Sequence, residues 1–242
     1  MSNTNDLLDL AIKAHGGMET WNKWQRLSTR LSIEGATWKL KQQDGIINEA
    51  NYQISLHYQW ASFLQFKIPE HKSIFEQGRV AIETQQRKVV EELKNPRSSF
   101  AGHTIETPWN ELQLIYFASY AMWTYFTAPF NFTLPGFTVK ELDPWTERQE
   151  TWRRLEVTFP PFIETHSTKQ VFYYSAEGML KRHDYWPDVL GGVPAVQYAS
   201  DYKTFDGIRM PTRRTIYSLN KDNTYQPEPV LVSIDMLDAR FT

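Results

Sequence analysis

The sequence predicts a single, mainly β domain with an N-terminal helical hairpin and one buried central helix, spanning residues 1–242. Three observations carry this. Helical spacing of apolar residues is confined to the first two dozen positions. Short runs of period two, roughly eleven to thirteen of them, fill most of the remainder. Between two groups of these runs lies a stretch with no charged residue. At this length an all-β unit is commonly one domain, and no repeat, low-complexity tract or linker divides the chain.

Residues 5–15 read as a helix, because Leu8, Ala11, Ile12 and His15 fall at i, i+3, i+4 and i+7. Thr4 or Asn5 would cap its start, and Gly16-Gly17 would supply a left-handed stop. Met18, Trp21 and Trp24 then share one side of a second short helix. This makes "AHGGMETWNKW" the corner of a hairpin, with both indoles buried and His15 a core histidine satisfied by one hydrogen bond.

From residue 26 the period becomes two. "RLSTRLSIEG", "INEANYQISL", "YQWASFLQF", "KSIFEQG", "RVAIET" and "RKVVEEL" form the first group. The second begins at "FTVKELDPW" and "TWRRLEVTF" and runs to "VLVSIDMLDARF". Connectors such as "SAEG", "FDG" and "KDN" place Gly, Asp and Asn where hairpins need positive φ. The charged runs "RQETWRR" and "EELKNPR" read as solvated edges that discourage edge-to-edge association.

Leu112 to Val139 contains no charged residue, and nine of its 28 residues are aromatic. The segment from Trp109 to Phe130 is apolar all round, so it belongs inside the fold. About 18 helical residues interrupted by Pro129, Pro135 and Gly136 are marginal for a bilayer, and no stable membrane insertion is expected.

Composition narrows the function. With 26 basic and 28 acidic residues and a net charge of −2, there is no basic stripe for nucleic acid. With no cysteine, thiolate metal sites and cysteine nucleophiles are excluded. The six histidines show no metal-ligand spacing, and no phosphate loop or nucleophile elbow occurs, so neither a metal nor a cofactor is expected. "MSNTNDLLDLAIKAHGG" lacks the pattern of a secretory leader, and a cytoplasmic location is expected.

Two constellations remain. "LKRHDYW" sets His183 and Tyr185 on one strand face, and "QYASDYKTF" sets Tyr198 with Tyr202. If those faces are concave, His183, Tyr185 and Tyr202 form a proton relay; otherwise they are cross-strand pairs without chemistry. On "GIRMPTRRTIY", Arg214 projects from an apolar row of Ile208, Met210, Thr212 and Ile216. It needs either an ion-pair partner, for which Arg154 and Glu156 mark a neighbouring strand face, or an anionic ligand headgroup.

"AIKAHGGMETWNKW", "GMLKRHDYW", "SDYKTFDGIRMPTRR", "SFAGHTIETPW" and "PVLVSIDMLD" together resemble an uncharacterised bacterial family that is itself similar to the lipoprotein-carrier (LolA/LolB-like) superfamily. The resemblance implies a curved antiparallel half-barrel whose concave, acyl-binding face is plugged by helices. The secretory leader of the carrier and the lipid-modified cysteine of its receptor have no counterpart here, so lipoprotein transport is not implied. The leading expectation is a site for a hydrophobic small molecule, lipid-like or a secondary metabolite. Its walls would be Trp60, Phe63, Tyr116, Tyr120, Trp123 and Phe126, with Arg214 as an anion contact. The expected pocket lies under the aromatic face of the central helix, because the polar tips of its Tyr and Trp side chains need partners. Two alternatives stay open: an enzyme of cyclase, isomerase or hydrolase type using His183 or a tyrosine as acid or base, and a protein-interaction module with a filled barrel.

Overall fold

The computed structural model describes residues 6–242. Two β meanders joined along one seam form the sheet. The first comprises β1 (Arg26–Glu34), β2 (Glu49–Ser55), β3 (Trp60–Phe63), β4 (His71–Glu76), β5 (Arg79–Thr84) and β6 (Val89–Lys94). The second comprises β7 (Thr138–Glu147), β8 (Glu150–Thr158), β9 (Lys169–Tyr174), β10 (Leu180–Tyr185), β11 (Ala195–Phe205) and β12 (Ile208–Leu219). The two-residue β13 (Tyr225–Gln226) flanks β12, and β14 (Val232–Phe241) completes the set.

Every pairing is antiparallel, in the order β6-β5-β4-β3-β2-β1-β14-β12-β11-β10-β9-β8-β7. The seam is β1 on β14, so the first and last strands lie side by side within the sheet. β6 and β7 are its free edges, and the sheet is open. Register shifts at Arg30/Leu31, Ile82/Glu83, Leu142/Trp145 and Leu180/Arg182 mark where strands bend, as bulges do. Fourteen strands bent in this way make the curved half-barrel expected from the resemblance.

This topology dictates the central helix. Edge strands β6 and β7 are consecutive in sequence but lie at opposite ends of the sheet, so residues 95–137 must cross the concave side. α4 (Glu111–Thr127) makes the crossing, and its 17 residues span about 26 Å. It begins two residues after Trp109. Asn110 is the N-cap, its side chain accepting from Gln113 N while the Gln113 side chain accepts from Asn110 N. Every residue from Leu112 to Thr127 is buried. No helix among the described residues is long and apolar enough to cross a membrane.

The N-terminal hairpin is α1 (Asp6–Ala14) and α2 (Met18–Trp21). The candidate caps Thr4 and Asn5 lie outside the described residues. Gly16 and Gly17 both have positive φ, at 123° and 81°. At Gly16 a Cβ would sit 2.5 Å from the Gly207 carbonyl oxygen, so only glycine lets the β11–β12 hairpin dock there. His15 is buried, with Nδ1 2.8 Å from the Ala11 carbonyl. Trp21 is buried as expected, but Trp24 is only partly covered, its Nε1 donating to the Asp206 carbonyl at 3.3 Å. α3 (Ala36–Leu40), a single turn after β1, was not foreseen.

Candidate functional site

The two faces of α4 differ. Tyr116, Tyr120 and Trp123 point to one side, where α4 packs chiefly on β3, β4 and β5. The polar tips of these three side chains are all satisfied by the protein. The Tyr116 hydroxyl donates to Glu164 and accepts from Arg97 Nη1 at 3.2 Å. The Tyr120 hydroxyl lies 3.3 Å from His166 Nδ1. Trp123 Nε1 donates to the carbonyls of Ser55 and Tyr58 at 2.9 and 3.1 Å. All three side chains are fully buried, and their partners come from the β2–β3 corner, from Arg97 and from the 163–167 loop.

The loose face is the opposite one. Ala118, Ala121, Met122 and Tyr125 follow i, i+3, i+4 and i+7, placing two small residues toward β1, β12 and β14. An apolar cavity of about 30 Å³ lies there, walled by Ala118, Ala121, Met122, Ile33, Ile47 and Ile234 among others. Trp38 of α3 closes one side, and Tyr125 and Tyr185 also line it.

Beside the cavity wall sits Arg214, buried to 2% exposure. Its Nη1 donates to Gln197 Oε1 at 2.6 Å, and its Nη2 donates to the Tyr125 carbonyl of α4. Its guanidinium lies 5.5 Å from the Tyr125 ring centre and 6.0 Å from that of Phe126. Glu156 and Arg154 are not its partners. They lie on the outer face of β8, where Glu156 meets Lys169 at 3.4 Å and Arg154 Nε donates to the Asp143 carbonyl. Among the described residues no carboxylate forms an ion pair with Arg214. Burial brings its pKa down to about 10, which leaves it a cation at neutral pH.

The histidine–tyrosine set is brought to the concave side but not into a relay. His183 Nε2 bonds Gln170 Oε1 at 2.7 Å, and its ring stacks on Phe172 at 3.9 Å. The Tyr202 hydroxyl donates to the Leu180 carbonyl at 2.6 Å. Tyr185 accepts from the Tyr125 hydroxyl at 2.9 Å. No hydrogen bond among the described residues links His183 to either tyrosine. Simple alternation fails on β11, because Asp201 at φ 56° shifts the faces. Tyr198 turns outward to Glu147 and Arg182, whereas Tyr202 turns inward to His15.

Sequence reasoning missed His166. It lies between Tyr120 and Tyr125, bonded to the latter at 2.8 Å and stacked on Tyr185 at 4.0 Å. Its only sequence signal was its place in a loop with no periodicity. Phe63 is a core residue packed on Tyr52 and Phe66. Trp60 instead lines a surface cleft of about 460 Å³, with Tyr58, Glu76, Leu134 and Phe162, and Arg26 stacks over its ring. No group of three or more acidic or histidine side chains among the described residues is placed to hold a metal.

No protein-family model matches the chain, and no curated protein matches its sequence. Solved structures match its fold. A DUF1329 family protein from Desulfovibrio piger aligns with a TM-score of 0.53 at 12% identity, over 97% of this chain and 91% of that one. A LolA superfamily protein from Nitrosomonas europaea aligns with a TM-score of 0.52 at 10% identity, over 96% and 93%. At these identities the likeness is one of architecture, and this chain has the LolA-like fold.

Proposed function

We propose that the protein binds a hydrophobic small molecule, lipid-like or a secondary metabolite, between α4 and the β1/β12/β14 wall. One observation carries this reading: the small-residue face of α4 leaves an apolar cavity in the concave side of an open sheet. At about 30 Å³ the cavity is the closed form of the site. A small-molecule pocket is ordinarily about 300 Å³ or more, so binding widens it roughly tenfold. The bonding pattern favours that motion. The side chains of Tyr116, Tyr120 and Trp123 tie α4 to the 163–167 loop and the β2–β3 corner, whereas Arg214 to the Tyr125 carbonyl is the tie to the wall that must part. Covering ~400 Å² of apolar ligand surface contributes about 10 kcal/mol. Association and the opening of the cavity offset a large part of it.

The test is titration with Nile red, a neutral dye that brightens in apolar surroundings, together with native mass spectrometry of protein purified from its own host. Saturable brightening and a co-purified mass released by organic solvent are expected. Absence of both would favour the filled-barrel interaction module, with the Trp60 cleft as its contact surface.

A further inference from the structure

We infer that the ligand carries a carboxylate, and that Arg214, Gln197 and Tyr174 form the subsite that binds it; this rests on the proposed binding of an apolar molecule under α4. Three features converge on this subsite. The first is charge. The groups facing Arg214 are Tyr125, Tyr174, Tyr185, Tyr202, His15 and His183, and none carries a negative charge at neutral pH. A buried guanidinium without a counter-charge is costly, and an arriving anion removes that cost.

The second is hydrogen bonding. Arg214 Nε and the Tyr174 hydroxyl are buried and have no hydrogen-bond partner among the described residues, while the Gln197 amide interacts with the Tyr125 hydroxyl. The Gln197 amide is oriented by its own Oε1, which accepts from Arg214, so its NH2 remains a donor. Each of the three is able to donate, and the set as a whole calls for an acceptor. Buried polar groups are almost always satisfied, so two unsatisfied donors, one of them on the cation itself, point to a ligand atom.

The third is continuity. Tyr125 and Tyr185 belong both to the surroundings of Arg214 and to the walls of the apolar cavity. Ile216, two residues along the same face of β12, is also a cavity wall. A molecule with its charged end at Arg214 therefore lays its apolar end among Ile33, Ala121, Met122 and Ile234. One cation balances one negative charge. A phosphate dianion would leave a net charge buried among aromatic rings, so a monoanionic group is favoured, and the carboxylate is the monoanion assigned to this subsite.

The experiment is calorimetric titration of the full chain with dodecanoate and with dodecanol, which differ only at the polar end. Wild type should bind dodecanoate about tenfold more tightly, as a charge-assisted pair implies. Arg214→Met should abolish the difference. Tyr174→Phe should weaken dodecanoate several-fold and leave dodecanol unchanged. Its melting temperature should not fall, since it removes a hydroxyl that the free protein leaves unpaired. That variant decides the matter if Arg214→Met does not fold. Equal affinities for acid and alcohol in wild type, or displacement of dodecanoate by inorganic phosphate, would overturn the carboxylate subsite while leaving apolar binding intact. Failure of dodecanoate, dodecanol and Nile red alike would remove the binding proposal itself, and the subsite with it.

Discussion

Trp21 lies flat on Phe130, with ring centres 4.2 Å apart and planes 7° from parallel. This stack joins the N-terminal hairpin to the segment just beyond α4, so the hairpin clamps the far end of the helix that fills the sheet. Trp21→Ala should therefore cost about 3–5 kcal/mol, the range for emptying a buried aromatic site. Trp24→Ala, at a partly covered position, should cost less than half as much. Urea denaturation followed by circular dichroism measures both. Equal costs would show that the hairpin is held by its general coverage and not by this stack.

A second anchor holds the near end of α4. Lys41 is fully buried, and its Nζ donates to the carbonyls of Thr104, Ile105 and Thr107 at 3.0, 2.6 and 3.1 Å. The ammonium also lies 4.9 Å from the Trp109 ring centre. Lys41→Met keeps most of the volume but leaves three carbonyls without a donor. A loss of about 2–4 kcal/mol is expected, with faster amide exchange concentrated between residues 101 and 110. Unchanged exchange in that segment would mean that other bonds hold it.

The strands were legible because each has a short periodic run and a turn at its end. The burial of α4 was legible because a helix without charge from Leu112 onward has nowhere else to go. α3 and β13 were not, since five and two residues are too few to show a period. The seam between β1 and β14 pairs strands from the two ends of the chain, which no local pattern records. The apolar cavity lies on the opposite face of α4 for a physical reason. Polar tips on Tyr116, Tyr120 and Trp123 do require partners, but Glu164, His166 and two backbone carbonyls supply them from segments with no periodicity. The plain residues Ala118 and Ala121 mark the space instead. Arg214 was legible as an anomaly in an apolar row; its solitude was not, because Glu156 shared a plausible face.

The two faces of α4 should consequently separate binding from stability. Ala121→Val adds volume where the cavity lies. Nile red affinity should fall by about fivefold or more, at a stability change of about 1–2 kcal/mol. Trp123→Ala removes a buried indole that is bonded to Ser55 and Tyr58, and it should cost about 3–5 kcal/mol. If Ala121→Val leaves dye binding untouched while Trp123→Ala alone changes it, the site lies under the aromatic face.

Acid should weaken the fold well before most carboxylates titrate. His15, His166 and His183 are all buried, and desolvation is the main reason each holds its proton less firmly than usual. Arg214 and Arg209 add to the effect at His15, Arg97 at His166, and His166 and Arg214 at His183. For His15 the pKa falls from 6.5 to about 4. In the unfolded chain these rings titrate near their ordinary value of about 6.5, so between that pH and the folded value the unfolded state binds more protons. Stability is thus complete above about pH 6.5 and declines as pH drops. His15 alone should account for about 2 kcal/mol by pH 5. The urea midpoint should fall steadily from pH 7 to pH 5, and His15→Gln should make that slope shallower. A midpoint that stays flat over this interval would mean that the buried rings accept protons without unfolding. An anion close to Arg214 would be the first place to look for the cause, because it would favour the charged form of both His15 and His183.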